Sequence, residues 1–192
     1  MEKYRIDIPP MKFKSFDDMN YNQAQEFFDW YVNNANNRIN ILFEYISKSK
    51  KNIIADYSVH SLIDVWEWFE SNISTEIIGF SELIENIRNN KFSLFKAICN
   101  PKKVTSLTYA IAMDIAIYYA EIFIFNNKSV HWGFFTKPKN RISVNKPVLL
   151  GFKNNMDLDP RLIVENCMWK SLKQKNKMYL FNFYNVWKSY IK

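Results

Sequence analysis

Glycine is scarce in this 192-residue chain, with three in all, at positions 79, 133 and 151. So few exclude an all-β protein built on many tight turns. Isolated as they are, they also exclude a phosphate-cradling P-loop and a dinucleotide-binding fingerprint. Cysteine is nearly absent. Cys99 and Cys167 have no C-x-x-C spacing, which fits a chain kept in a reducing compartment rather than a disulfide scaffold, and both read as small buried hydrophobes. Histidine is limited to His60 and His131. Neither H-x-x-x-H nor H-E-x-x-H spacing occurs, so no metal site is expected, and each imidazole reads as partly exposed. There is no G-x-S-x-G elbow, and neither cysteine lies in a nucleophile signature. No catalytic residue and no cofactor is therefore assigned.

Also missing is any Gly/Ser/Pro-rich linker or visible repeat, so residues 1–192 read as a single domain with an extended arm at 1–19. The opening MEKYRIDIPPMKFKSF scatters charges where a secretory signal needs a continuous apolar run, and the expected location is cytoplasmic. The longest apolar stretch, Leu107 to Phe125, carries Asp114 and Glu121. Both are expensive in hydrocarbon, so it reads as a core helix rather than a membrane span.

What is present is apolar and basic. Hydrophobic residues make up 48% of the chain and aromatics 17%, enough burial to offset the entropy of ordering a chain of this size. The net charge of +7 rests on 21 lysines against 5 arginines beside 23 asparagines, a bias that AT-rich codons produce. Its distribution is uneven: residues 1–96 carry 11 Lys/Arg and 14 Asp/Glu, residues 97–192 carry 15 and 5. The halves should attract each other, or the opposite halves of a second copy.

Helical signals dominate. After Pro9 and Pro10, Asn20 with Gln23 reads as a cap. Ala24, Phe27, Phe28, Tyr31, Ala35, Ile39, Leu42 and Ile46 follow at helical spacing, predicting one long helix over 21–48 with Arg38 near its apolar stripe. Ser58 ahead of Leu62, Val65, Trp66 and Phe69 predicts a helix over about 59–72. Ser81 predicts a short one to about Asn90, and Lys91–Asn100 is ambiguous before Pro101. Thr105 opens a helix over about 106–126, apolar nearly all round and so central. Val130, Trp132 and Phe134 alternate with His131, Gly133 and Phe135, and Pro147–Phe152 is a second short apolar run, predicting an antiparallel strand pair. Asp159-Pro160 starts a final helical region with a break near Gln174–Lys177. The expected fold class is α+β, predominantly helical, with one small antiparallel two-stranded β element.

Asp114 and Glu121 stand two helical turns apart with Tyr118 between them, on roughly one face of the central helix. Acids on so apolar a helix need partners, either Arg38, Arg141 or backbone amides in a structural network, or each other in a general acid/base pair. Trp66 and Trp68 point to different sides of one helix, so both should not fit a single core and some aromatics are expected as interface anchors. With His131 and Trp132 from the first strand, these residues form the candidate binding set. WKSLKQKNKMYLFNFYNVWKSYIK interleaves lysines with aromatics, as a nucleic-acid groove does. The same segment reads as an amphipathic helix with its lysines in water, which its shortage of arginine favours.

Four segments carry a resemblance: FDWYVNNANNRINIL (28–42), DYSVHSLIDVWEWF (56–69), DIAIYYAEIFI (114–124) and VNKPVLLGF (144–152). They resemble a group of uncharacterised bacterial proteins similar to the immunity proteins of toxin systems. The chain departs from that group in having Ala116 and Ala120 where the group has glycines. The resemblance implies a non-enzymatic antitoxin-like binding protein whose partner is a cognate toxin, with a nucleic-acid-binding accessory protein and a hydrolase using Asp114 and Glu121 as alternatives. Charge asymmetry and surplus tryptophan together predict a homodimer.

Overall fold

The computed structural model describes residues 4–12, 14–79, 81, 82, 84 and 102–192. Among them are six α-helices and two small antiparallel sheets, the helical α+β class that the sequence predicts. The helix predicted after Ser81 and the ambiguous stretch 91–100 fall largely outside the described residues, as does Cys99.

The N-terminal arm runs irregularly to a short 3-10 turn at Phe16–Asp18, and then α1 (Tyr21–Asn33) begins. Asn20 and Gln23 cap it reciprocally, the Asn20 side chain accepting from Gln23 N while Gln23 accepts from Asn20 N. The single helix expected over 21–48 is two, because α2 (Ala35–Ser47) starts afresh after Asn34. Main-chain bonds still bridge the junction, from Asn34 N to Trp30 O and from Arg38 N to Asn34 O. Asn34 itself donates to Asp7 of the arm and accepts from Asn37. Such local side-chain bonding competes with a regular helix, here at the point where the arm crosses.

Helix α3 (Ser61–Asn72) follows, its start held by Ser58 Oγ accepting from Ser61 N. Strand β1 (Thr75–Ile77) pairs with β2 (Lys102–Val104), Glu76 opposite Lys103. This second sheet is absent from the sequence expectation, and its exposed three-residue β1 carries no alternation to announce it. Helix α4 (Ser106–Asn126) is capped by Thr105 and buries twelve residues. It has the length and composition to cross a membrane, yet 67% of its apolar window is buried inside the fold. It sits at the centre, chiefly against α2 and α5 (Pro160–Ser171), while α6 (Tyr179–Lys188) packs on α3 and α5. Asp159 starts α5 as expected, accepting from Arg161 N and Leu162 N with Pro160 in the first turn. Residues 172–178 separate α5 from α6.

The expected strand pair is β3 (His131–Gly133) and β4 (Val148–Leu150), with Trp132 opposite Leu149. Beside it Gly151 adopts φ 108°, and a Cβ there would lie 2.2 Å from Ser129 O. Glycine alone fits, since the position combines left-handed backbone with close main-chain approach. Asn145, fully buried, ties this region to the arm by donating to Phe16 O (2.6 Å) and Met19 O (3.0 Å). Lys139 also donates to Met19 O.

The two tryptophans of α3 correct a further expectation: both are buried, Trp66 completely and Trp68 to 2% exposure. Trp66 donates to Glu70 and packs on Phe69, whereas Trp68 donates to Ser49 Oγ and meets Tyr45 edge-on. Helix α3 is covered on both sides, so opposite directions along it lead to two parts of one core.

Candidate functional site

Of the two acids, Asp114 is the more enclosed, at 4% exposure. Arg38 grips it from α2 with two bonds, Nε to Oδ1 at 2.9 Å and Nη2 to Oδ2 at 2.5 Å. Tyr4 of the arm donates its hydroxyl to the same carboxylate, and Arg38 also donates to Arg5 O. Burial pushes the Asp114 carboxyl above the usual range, and the Arg38 and Tyr4 bonds pull against that rise. This is a satisfied buried ion pair, bidentate and hydrogen-bonded on its remaining side.

Glu121 does not join it. Its carboxylate accepts from Trp132 Nε1 at 2.7 Å, linking α4 to β3, and burial raises it as well. Tyr118 lies elsewhere again. Its hydroxyl bonds Ser61 Oγ at 2.7 Å, accepts from Tyr57 N and is pushed by burial up to about 12. The three side chains that helical arithmetic aligns are thus distributed among three separate polar contacts. Arg141, considered as a holder of either acid, instead pairs with Asp157 and stacks on Phe135. His131 is exposed, with Nδ1 against Ser129 O, and borders a second cavity of about 560 Å³ with Lys137 and Arg141. Trp66 and Trp68 are core residues.

A cleft of about 690 Å³ opens between the arm, α1, α4 and α5. Its walls are mainly apolar, with Phe27, Trp30 and Tyr31 from α1, Met113 and Ile117 from α4, and Phe16 from the arm. Arg38 and Asp114 form part of its lining, and so do Lys103 of β2 and Arg161 of α5. Arg161 is held by Asp159 through Nε and Nη2 and lies over the rings of Phe16 and Tyr31. Trp132, the partner of Glu121, meets Tyr31 edge-on at 5.6 Å. The cleft therefore gathers Asp114 directly and Trp132 and Glu121 at one remove, and leaves out Trp66, Trp68, Tyr118 and His131.

Tyr31 and Arg161 are the residues that sequence reading missed. Tyr31 sits in the apolar stripe of α1, where it counts as core, and Arg161 hides behind the Asp159-Pro160 cap. Tyr31 is 8% exposed, and its hydroxyl has no hydrogen-bond partner among the described residues. Glu70 is a further buried acid with no sequence signal, accepting from Trp66 Nε1, Ser171 Oγ and Asn176 N. Among the described residues no group of three or more His, Cys, Asp or Glu could hold a metal ion.

Helix α5 exposes Leu162 (45%) and Trp169 (44%), and Leu172 (41%) follows at its C-terminal cap. Helical spacing puts them on one face. Tyr109 of α4, 42% exposed, lines the cleft together with Trp169. The molecule so defined has a helical α+β fold with a mainly apolar cleft and an exposed apolar stripe that shares Trp169 with it. Comparison with protein-family models, curated proteins and solved structures finds no match.

Proposed function

We propose that this chain is a non-enzymatic protein-binding module of the immunity type, acting in the cytoplasm by covering the surface of a toxin. The supporting observation is the exposed stripe of Leu162 and Trp169 on α5 with Leu172 at its C-terminal cap. An apolar patch rimmed by polar residues marks interaction surfaces, and tryptophan is the commonest kind of energetic anchor within them. Around the stripe the exposed Lys170 and Lys173 outnumber the half-buried Glu165, which accepts from Trp169 Nε1, so the partner presents apolar side chains within a mainly acidic surround. The resemblance of four segments to immunity-like proteins points the same way. The hydrolase alternative has less support, because Asp114 and Glu121 are engaged by different partners.

Co-expression with the products of neighbouring reading frames, followed by purification of any complex, tests the reading. Trp169→Ala should weaken the complex about tenfold or more, while substitution of the exposed Lys128, remote in sequence from the stripe, should not. Association should slow as salt rises. Neighbours that fail to bind, or a complex indifferent to Trp169→Ala, would end this proposal.

A further inference from the structure

A second cavity, of about 560 Å³, shares no lining residue with the cleft. We propose that it is a binding site for a small organic anion, a phosphate or carboxylate carried on a compact apolar body. The inference goes beyond partner binding, since no residue of the α5 stripe lines this cavity.

His131 of β3 and Leu150 of β4 line it with Phe135, Lys137 and Arg141 from the connection between those strands and Met156 from beyond them. The volume falls within the roughly 300–1,000 Å³ of typical small-molecule sites, which combine apolar walls with a few placed polar groups. Phe135, Leu150 and Met156 are each half-buried, so they keep surface to offer a ligand. Charge then selects the ligand's sign. Among the described residues no acidic side chain lines the cavity. Arg141 is balanced by Asp157, which stands outside the lining, whereas Lys137 has no ion pair among the described residues. Lys192 lines the cavity too, but a terminal carboxylate on it would cancel its amine, so Lys137 carries the excess. A cation beside low-dielectric walls attracts an anion and repels a second cation.

Arg141 is held ready for such a ligand. Its guanidinium carbon lies 3.9 Å over the Phe135 ring, Nε donates to Ser143 Oγ at 3.0 Å and Nη2 donates to Asp157. Three contacts fix the plane of the group, so little freedom is lost when a further N–H meets an acceptor. Nη1 has no acceptor among the described residues and supplies that N–H. His131 adds a second polar edge. Its Nδ1 lies 3.1 Å from Ser129 O, an oxygen that can only accept, so Nδ1 carries hydrogen and Nε2 is the nitrogen left for a ligand. Lys137, Arg141 and His131 thus offer donors to acidic oxygens, while Phe135, Leu150 and Met156 offer apolar contact to the rest of the molecule.

Phenyl phosphate and benzoate test the proposal against three controls: benzyl alcohol, which has no charge; benzylamine, which has the opposite one; and inorganic phosphate, which has no apolar body. Binding is followed by the ring resonances of His131 and the methyl resonance of Met156. At least one aromatic anion should bind about tenfold tighter than benzyl alcohol, the worth of a charge-assisted hydrogen bond, and tighter than inorganic phosphate. The tighter of the two names the acidic group. Lys137→Gln, at an exposed position, should erase most of the anion preference and leave benzyl alcohol unchanged. Lys51→Gln, which removes the same charge from an exposed position outside the lining, should not. The proposal is overturned if no probe binds, if benzyl alcohol or benzylamine matches the aromatic anions, or if inorganic phosphate does. It is equally overturned if the preference survives Lys137→Gln or falls as far with Lys51→Gln. None of these results touches the partner assay on Trp169.

Discussion

Arg38 and Asp114 show how much a single buried contact can hold. Removing one partner strands the other charge away from water, so Arg38→Ala should cost about 3–5 kcal/mol. Chemical denaturation would show it as a lower midpoint with an unchanged slope. Replacing both partners together, Arg38→Met with Asp114→Leu, should recover most of that loss, because the desolvation of two ions disappears with them. Glu121 tests the same physics through pH. Burial raises its carboxyl in the folded chain, so the native state holds the proton more tightly than the unfolded one. The stability it contributes is full below the unfolded value and is lost as pH rises through the folded value. Glu121→Gln keeps an oxygen for Trp132 and removes the titration. Its stability relative to the parent should therefore match in acid and improve toward neutral pH; a difference flat across that range would show that Glu121 is not so shifted. The sequence flags both acids, since charges on an apolar helix stand out. It does not reveal that they serve different partners, because Tyr4, Arg38 and Trp132 come from three other parts of the chain.

Among elements, what is local was legible. Asn20 with Gln23, Thr105, and Asp159-Pro160 each mark a helix start, because a cap is made by residues two or three apart. The alternation around Trp132 likewise located β3, and the run after Pro147 located β4. Features that depend on remote chain were not legible. The interruption at Asn34 coincides with a bond to Asp7, 27 residues away, and β1 needs β2 to be a strand at all. Helix α3 misled for the same reason. Its tryptophans diverge, but Tyr45 and Ser49 at the end of α2 cover the side that spacing alone leaves open. Trp68→Ala should thus behave as a core truncation, costing about 3–5 kcal/mol in thermal or denaturant unfolding. A surface anchor would lose almost nothing.

For the molecule as a whole, the uneven charge is partly resolved within one chain. Lys103 reaches Glu76 and Glu82, and Lys177 reaches Glu67, so basic second half meets acidic first half without a second copy. With Trp66 and Trp68 buried, neither can anchor a dimer interface. The stripe on α5 remains, but two copies of it would bring Lys170 and Lys173 against their own kind. Light scattering should give a monomer mass at low and at high salt, and a stable dimer would redirect attention to α5 as a self-contact. The same lysines that oppose a second copy favour an acidic partner, which is how one surface selects what it accepts.

The clamp on the arm bears on how the chain is made. Asn145 holds the carbonyls of Phe16 and Met19 from 129 and 126 residues further on, and Tyr4 finds its acceptor 110 residues downstream. During synthesis Tyr4, Phe16 and Met19 are thus made long before these particular partners. Contacts of such long range form late, since the intervening loop must close before they give anything back. Until Asp114 emerges, Arg38 waits without its counter-ion, and until Asn145 emerges the arm has only its nearer contacts, such as Asp7 with Asn34 and Phe16 with Phe27. The cleft that the arm helps to wall draws its lining from as far along the chain as Trp169, so a ligand or partner that needs it meets a site only when translation has passed that residue.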